Sequence, residues 1–294
     1  MPVVRIELNG WYPVNQERRR FEFLEYLGQV KDICVVENEN IASLCIVVNG
    51  RVLGLVDPYD RWETGSPGDE GAIVQRIREL NPALIFKYQL RRGIHYPTGT
   101  ISAGYPCARQ VLCPTNLLTR PRRIDIMARM RVNNDYHWGA DEEWMLDRSH
   151  IVEEAKLLAR EGYDCKTELV PQEQYVTELW DAQVGFDWRG VGYLTRRIIE
   201  YIRAGVVPIM QPFGQEWPVR EDVVLEDGIH GVFCSNPREF AVEARLLLAD
   251  RVKIKKIRNN LVELWREKLS PVAQGYWIWE KLKATLASQP PLPG

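Results

Sequence analysis

The sequence predicts an α/β protein made of two domains, and three observations support this fold class. The chain has 294 residues, which is long for one hydrophobic core and sufficient for two domains of ordinary size. Two apolar runs near the start are joined by Asn49-Gly50, a strong signal for a tight β-hairpin. After a Pro-rich stretch at residues 114–123, strand-like and helix-like runs alternate regularly, which is typical of a parallel sheet covered by helices.

Residues 1–118 are predicted to form a first domain of mixed strands and helices. Its elements, in chain order, are a strand at VVRIEL, a helix at RRRFEFLEYLGQV, the hairpin SLCIVVNGRVLGLVD, a helix at AIVQRIREL and a strand at ALIFKYQL. Pro, Gly and Thr then crowd residues 97–106, so the connection to the next domain is expected soon afterwards.

Residues 119–250 are predicted to form a second, more regular domain. Its elements are a strand at RIDIMARM, a helix at DRSHIVEEAKLLAREGY, a strand at CKTELV, a helix at PQEQYVTELWDAQ, a strand at VGFDW, a helix at TRRIIEYIRAG and a strand at VVPIM. This alternation predicts a Rossmann-like parallel sheet, in which ligands lie beyond the carboxyl ends of the strands, and a cleft between the domains is the expected place for a site. Residues 251–286 are expected to add C-terminal helices that pack back across the domains, and the Pro-rich residues 287–294 a disordered tail.

The composition is that of a globular protein: 45% of the residues are hydrophobic and 27% are charged. The formal net charge of −2 argues against attraction of the whole surface to nucleic acid or membranes, although it leaves room for a local basic groove. No targeting segment or membrane span is visible, so a cytoplasmic location is the default expectation. The six cysteines are scattered without a C-x-x-C pair, which favours reduced core residues over disulfides or zinc ligands.

One helix start carries an unusual pair of cations. Thr195 is expected to cap the helix TRRIIEYIRAG, yet Arg196 and Arg197 follow in its first turn, where the helix dipole repels positive charge. Gly190 and Gly192 lie in the preceding turn and permit close approach of the backbone to a ligand. A diphosphate bound at the free N–H groups of the helix would explain both arginines, whereas a salt bridge to a glutamate one turn on would explain only one.

A second pair of arginines, Arg129 and Arg131, follows the strand that opens the second domain. If the strand continues that far, its alternation places both side chains on one face, at the same edge of the sheet as the start of TRRIIEYIRAG. Taken alone, the pair is explained equally well as solvated loop charges. Taken together, the two pairs predict an anion-binding site at the carboxyl ends of the strands.

The run GVGYLTRRIIEYIRAGVVPIM, preceded by QEQYVTELWDAQVGF, resembles the donor-binding half of GT-B glycosyltransferases, in particular their exostosin-like and family 1/family 4-like branches. The resemblance covers residues 122–245, and earlier in the chain only the general layout agrees. It implies a GT-B-like fold of two Rossmann-like domains with an interdomain cleft. It also implies a nucleotide-sugar co-substrate, a UDP- or GDP-sugar, bound by the second domain.

Several site residues follow from this resemblance. Glu200 would accept hydrogen bonds from the ribose hydroxyls, and Arg196 or Arg197 would face the donor diphosphate. Arg129 is similar to another phosphate-facing basic position. Gly192 belongs to the turn before the arginines, and it is also a departure, because many such enzymes have there a glutamate that contacts the donor sugar. The identity of the sugar and the stereochemistry of transfer therefore stay open.

The chemistry implied by the resemblance needs no metal, because arginines and helix N–H groups can stabilise a departing diphosphate. No D-x-D triplet is present, and DPYD at residues 57–60 has the wrong spacing, so we predict a metal-independent reaction. An inverting enzyme also needs a general base. Asp57, at the end of an apolar strand, is the candidate, and a turn with Pro58 is its alternative role. Weaker candidates for the base are Asp60, His95 and Glu17.

The first domain is expected to bind the acceptor, because aromatic and basic side chains there suit sugar rings, bases and phosphates. These side chains, which a solvated helix face explains equally well, are Trp11, Tyr12, Arg18, Arg19, Arg20, Lys87, Arg91 and Arg92. The acceptor would be a glycan, a small molecule or, as one alternative, hydroxymethylated bases in DNA, as in viral base-glucosylating enzymes. A second alternative is a GT-B-like protein that binds a nucleotide without turnover. A Rossmann-like oxidoreductase is disfavoured, since no G-x-G-x-x-G follows the first strand of either domain.

Overall fold

The computed structural model of the chain describes residues 4–9, 11–14, 17–20, 22–31, 33–41, 45–57, 75, 77–88, 96–104, 118–132, 142–189, 195–212 and 218–288. By their contacts the residues form two compact units, the first comprising Met1–Pro106 with Lys268–Gly294 and the second Cys107–Glu267. Each unit contains its own β-sheet and its own helices. The predicted α/β fold with two domains is thereby confirmed.

The first unit is built on a mixed six-stranded sheet. Its described elements are β1 (Val4–Leu8), β2 (Trp11–Val14), β3 (Glu17–Arg20), α1 (Glu22–Leu27), β4 (Ile33–Glu37), β5 (Cys45–Val48), β6 (Arg51–Asp57), β7 (Leu84–Lys87) and β8 (Thr100–Ser102). The strand order is β4-β1-β5-β6-β7-β8, and β5 is antiparallel to both of its neighbours while the other pairs are parallel. As a result, β1, β4, β6, β7 and β8 all end at the same edge of the sheet.

The hairpin between β5 and β6 confirms the prediction made from Asn49-Gly50. Both residues have positive φ angles, 49° for Asn49 and 78° for Gly50. Two successive residues with positive φ are what a two-residue turn requires if its twist is to match the twist of the strands. The strands resume pairing at once, with Val48 opposite Arg51, and all four residues of β5 are buried.

The helix predicted at RRRFEFLEYLGQV begins later than expected. Residues 17–20 form β3, which pairs antiparallel with β2, so that Arg20 lies opposite Trp11. The preceding strand offers β3 a hydrogen-bonding partner, and this tertiary pairing outweighs the helix propensity of the arginines. The helix α1 is therefore limited to Glu22–Leu27, and it packs against the C-terminal helix Pro271–Ser288 within the same unit.

The second unit is built on a five-stranded, entirely parallel sheet, as predicted. Its described elements are β9 (Ile124–Met127), α2 (Glu142–Arg160), β10 (Cys165–Lys166), α3 (Gln172–Leu179), β11 (Ala182–Asp187), α4 (Arg196–Ala204), β12 (Val207–Met210), β13 (Val232–Phe233), α5 (Phe240–Ala249) and α6 (Arg251–Leu264). The strand order is β10-β9-β11-β12-β13. The strand predicted at CKTELV shrinks to two residues, because β10 lies at the edge and pairs only with β9.

Apolar residues of the second unit fill the space between the sheet and its helices. The helix α4 buries Ile198, Ile199 and Ile202, the three residues whose spacing predicted it, and it ends at Gly205 with a φ of 61°. On α5, the ring of Phe240 contacts the ring of Phe186 edge-on, with 5.1 Å between centroids. The sheet is thus held rigidly enough for its strand ends to position polar side chains.

The C-terminal helices belong to different units. The helix α6 packs on α4, α5 and β12 in the second unit, whereas α7 (Pro271–Ser288) packs on α1 and β6 in the first. The last two residues of α7 are helical although the sequence placed them in the tail, and residues 289–294 lie outside the described part of the chain. None of the helices in the described part combines the length and the hydropathy that crossing a bilayer requires.

Candidate anion site at the carboxyl edge of the parallel sheet

The strand order of the second unit contains a topological switch point. From β9 the chain moves to β10 on one side and then crosses to β11 on the other side, so β9 and β11 are neighbours whose connections leave in opposite directions. Ligands of open parallel sheets bind outside the carboxyl ends of the strands at such a point. Here those ends are Met127 of β9 and Asp187 of β11.

Arg129 lies two residues past the end of β9 and is 7% exposed. Its Nη2 donates a hydrogen bond to Oε2 of Glu178 on α3. Its Nε and Nη1 are buried without a hydrogen-bond partner in the described part of the chain. A buried donor without a partner is costly, and a guanidinium carries donors suited to the oxygens of a phosphate or carboxylate. Of the predicted site residues, Arg129 therefore has the strongest structural support as an anion-binding group.

Arg197 has a partner that the sequence analysis did not consider. Its Nη1 donates a hydrogen bond to Oδ1 of Asp187 at 2.9 Å, and Asp187 is 1% exposed. Burial raises the pKa of the Asp187 carboxyl, and the charge of Arg197 and the hydroxyl of Thr195 partly offset this shift. Part of the answer to the puzzle of a helix that begins with arginines is therefore a buried carboxylate at the end of the neighbouring strand.

Thr195 caps α4 as predicted, since its side chain accepts a hydrogen bond from the backbone N–H of Ile198 at 3.4 Å. The same hydroxyl lies 2.8 and 3.0 Å from the two carboxylate oxygens of Asp187. The start of α4 is thus tied to the end of β11 through both Thr195 and Arg197. Arg196, in the same turn, is exposed.

Glu200 lies one turn further along α4 and is half-buried. Its Oε2 accepts a hydrogen bond from the hydroxyl of Tyr175 on α3 at 2.7 Å. Burial raises the pKa of Glu200, whereas the hydrogen bond from Tyr175 and the charge of Arg197 lower it. Tyr175 was not predicted from the sequence, because nothing in the helix PQEQYVTELWDAQ marks this tyrosine as the partner of a residue 25 positions later.

Tyr201 joins the two strands at the switch point from below. Its hydroxyl lies 3.1 Å from the carbonyl O of Met127 and 3.2 Å from that of Phe186, so it bridges β9 and β11. The ring packs against Gly185, where a Cβ atom would come within 2.5 Å of it. A glycine is therefore required at this position of β11 for the tyrosine to reach the strand ends.

Arg148, on α2, holds the segments that follow β9 and β11. Its three nitrogens donate hydrogen bonds to the carbonyl groups of Arg189 at 2.9 Å, Trp188 at 3.1 Å and Arg131 at 3.4 Å. Burial, followed by the charge of Arg197, lowers the pKa of Arg148 to about 10. The sequence gives no signal for this role, because an arginine near the start of a long amphipathic helix has the pattern of a surface residue.

The remaining predicted donor-site residues are placed less favourably or are not described. The strand ends at Met127, so its alternation does not extend to the arginine pair, and Arg131 is exposed while Arg129 is buried. Gly190 and Gly192 lie outside the described residues.

Asp57, the predicted general base, lies at the end of β6 in the first unit and is 1% exposed. Its Oδ2 accepts a hydrogen bond from Nζ of Lys87 at 2.9 Å, and the Lys87 side chain is fully buried. The two residues lie opposite each other in the register of the parallel strands β6 and β7. The expectation that Lys87 belongs to an acceptor-binding surface is therefore wrong, whereas the role of Asp57 as a base stays a prediction.

Other candidates for the base fall outside what the structure describes. Asp60 and His95 lie outside the described residues, as do the side chains of residues 11–14 and 17–20, which contain the aromatic and arginine cluster. Within the described residues, no group of three or more His, Cys, Asp or Glu side chains is arranged to hold a metal ion.

No family model matches the sequence, and no curated protein matches it either. Solved structures with a similar fold include S. aureus TarM in complex with fondaparinux, alpha-GlcNAc-glycerol and UDP, which is 14% identical with a TM-score of 0.47 over 80% of this chain and 50% of its own. AviGT4, a glycosyltransferase involved in avilamycin A biosynthesis, is 15% identical with a TM-score of 0.47, covering 82% of this chain and 76% of its own. Anabaena Alr3699/HepE in complex with UDP and glucose is 12% identical with a TM-score of 0.45, covering 73% of this chain and 66% of its own. The chain thus spans half of TarM, and at such identities the likeness concerns the fold alone.

Proposed function

We propose that this chain is a GT-B-type glycosyltransferase that moves a sugar from a nucleoside diphosphate to an acceptor hydroxyl. The observation that carries the proposal is Arg129, whose buried Nε and Nη1 have no partner among the described residues next to the switch point of the sheet. An oxygen of a diphosphate would satisfy these donors. The resemblance of residues 122–245 to donor-binding domains makes a nucleotide-sugar the ligand that fits this position.

In the proposed reaction, the bond between the anomeric carbon and the diphosphate oxygen breaks, and its electron pair leaves with the nucleoside diphosphate. The acceptor oxygen forms the new bond to that carbon, and its proton passes to a base or to the diphosphate. Arg129 and the N–H groups at the start of α4 would stabilise the negative charge that develops on the leaving group. Arg196, exposed in the first turn of α4, adds positive charge at the same end of the helix.

Glu200 is the proposed partner of the ribose. One of its oxygens already accepts the hydroxyl of Tyr175. A carboxylate has about four acceptor positions, so Glu200 retains enough of them to accept two ribose hydroxyls. Tyr175 would then serve to fix the orientation of the carboxylate.

The proposed reaction does not depend on a metal ion, since cationic side chains and helix N–H groups supply the stabilisation of the diphosphate. Transfer measured in the presence of a chelator such as EDTA is therefore expected to equal transfer without it. Loss of transfer in the chelator, restored by added Mg²⁺ or Mn²⁺, would contradict this part of the proposal.

A second candidate is a protein that binds the nucleotide without turnover. Two observations favour it: the glycine at position 192, where related enzymes have a glutamate, and the ion pair that buries Asp57 against Lys87. Hydrolysis or transfer from a radiolabelled nucleotide-sugar separates the two candidates, because a binding protein would leave the donor intact. No observation on the described residues favours modified DNA as the acceptor.

The donor site is tested by thermal unfolding with UDP, GDP and their sugar conjugates. We expect one nucleoside diphosphate to raise the Tm, and Arg129→Gln to weaken its binding at least about tenfold, because a charge-assisted hydrogen bond contributes about 1.5–3 kcal/mol. Arg238→Gln is the matched control, since Arg238 is exposed elsewhere in the same unit. If no nucleoside diphosphate raises the Tm, or if both variants lose affinity equally, the proposal is wrong.

A further inference from the structure

The helix α6 presents four basic side chains at its start. Arg251, Lys253, Lys255 and Lys256 lie in its first two turns, and all four are exposed. Its first turn contains no acidic residue, and neither do residues 251–262 as a whole. Cations near the positive end of a helix dipole are unfavourable, so the stability of the helix does not explain this distribution of charge.

These four charges are not compensated within the described part of the chain. None of the four side chains forms an ion pair or a hydrogen bond with another described residue. The nearest carboxylate in sequence, that of Asp250, caps the helix, and its Oδ1 accepts a hydrogen bond from the backbone N–H of Lys253 at 2.8 Å. The cluster is therefore a local concentration of positive charge in a chain whose formal net charge is −2.

Apolar side chains lie among these cations. Val252 occupies the middle of the exposed side of the helix and is 80% exposed. Ile229, which is 40% exposed, lies beside the same helix, because Nδ2 of Asn260 donates a hydrogen bond to its carbonyl O at 3.0 Å. The opposite side of α6 is buried through Ile254, Ile257 and Leu261, so the orientation of the basic side toward solvent is fixed.

We propose that this face, the α6 basic face formed by Arg251, Val252, Lys253, Lys255 and Lys256, binds the surface of an anionic lipid bilayer. Lysine and arginine side chains at this position would meet the phosphate and carboxylate head groups. Val252 would enter the boundary between head groups and acyl chains, which is the environment that an exposed apolar residue between cations suits. A nucleic acid backbone would match the cations but would leave Val252 in water, so the lipid surface is the partner that explains both features.

The proposal places the chain on a membrane, not across it, in agreement with the described helices, and it does not depend on the donor site. It is tested by sedimentation of the full chain with vesicles of phosphatidylcholine, either alone or mixed with phosphatidylserine. We expect binding only to the mixed vesicles, and weaker binding as the salt concentration rises. Each basic residue near such a surface strengthens binding about fivefold, so replacing all four should weaken it by at least about 100-fold.

Two variants with matched charge separate this face from the rest of the surface. The first combines Arg251→Gln, Lys253→Gln, Lys255→Gln and Lys256→Gln. The control combines Lys31→Gln, Arg160→Gln, Arg238→Gln and Lys283→Gln, four residues that are exposed on other elements. Only the first is expected to lose binding. A third variant, Val252→Gln, should weaken binding with no change in net charge.

Equal binding to neutral vesicles, or equal losses in the two fourfold variants, would overturn the proposal. So would tighter binding to a DNA duplex than to mixed vesicles at the same salt concentration. Because the substituted side chains are exposed, the variants are expected to unfold at the same temperature as the unaltered chain. If a variant does not fold, the lipid and salt dependence of the unaltered chain still decides the question.

Discussion

The guanidinium of Arg197 and the carboxylate of Asp187 form an ion pair at the carboxyl edge of the parallel sheet, with 2.9 Å between Nη1 and Oδ1. The carboxylate is 1% exposed and the arginine side chain 15% exposed. Since Asp187 ends β11 and Arg197 lies in the first turn of α4, the pair fixes the helix start relative to the sheet edge. The arginine thereby positions a helix N-terminus whether or not it also contacts a ligand.

Asp187→Asn is expected to lower the free energy of unfolding by roughly 3 kcal/mol, because it leaves the charge of Arg197 without its buried partner. Urea denaturation measures this change. The control is Asp181→Asn, which removes a more exposed pair with Arg120 and should cost less than about 1 kcal/mol. Similar losses in both variants would contradict the role assigned to Asp187.

Tyr201→Phe removes the hydroxyl that lies between the carbonyl groups of Met127 and Phe186. We expect a loss of about 1–3 kcal/mol in the free energy of unfolding, because buried acceptors at the ends of β9 and β11 would lose a donor. Tyr276→Phe is the matched control, since Tyr276 is 37% exposed. A Tyr201→Phe protein as stable as this control would show that the bridge between the strands contributes nothing.

The stability contributed by Glu200 should depend on pH. Burial raises its pKa above the ordinary value of 4.5, so the folded state holds the proton more tightly than the unfolded state. The free energy of unfolding is then expected to fall as the pH rises from 4.5 through the folded-state pKa.

Glu200→Gln cannot titrate, so its stability relative to the unaltered protein should increase from acidic to neutral pH. Denaturation by urea at a series of pH values measures the difference between the two proteins. A difference that is constant across the series would mean that the pKa of Glu200 is the same in both states.

Lys87→Met is expected to destabilise the first unit by roughly 3–5 kcal/mol, because Asp57 would remain as an unpaired buried charge. Adding Asp57→Leu should recover most of this loss, since both charges are then absent. A double variant as unstable as Lys87→Met would contradict the ion pair. If the double variant also transfers sugar at the rate of the unaltered chain, Asp57 is excluded as the general base.

The parts of the structure that the sequence predicted depend on local chemistry. Asn49 and Gly50 form the turn because both tolerate positive φ angles, and Thr195 caps α4 because its hydroxyl reaches a backbone N–H three residues on. The parallel sheet followed from the alternation of short apolar runs with amphipathic ones. Each of these inferences needs only residues that are close together in the chain.

The partners of the charged residues were not predicted, because they depend on which strand ends and helices become neighbours. Arg129 pairs with Glu178, 49 positions away, and Lys87 pairs with Asp57, 30 positions away. A sequence without strand order or register cannot show that such residues meet. For the same reason, Arg197 was interpreted through its helix alone, and the buried carboxylate of Asp187 was missed.

Arg148 joins α2 to both sides of the switch point, since one guanidinium serves carbonyl groups that follow β9 and β11. If α2 detached, all three hydrogen bonds would break together, so the opening of this edge and the undocking of the helix form one cooperative event. A ligand that steadies the edge would consequently slow hydrogen exchange along α2, even though the helix itself need not touch that ligand.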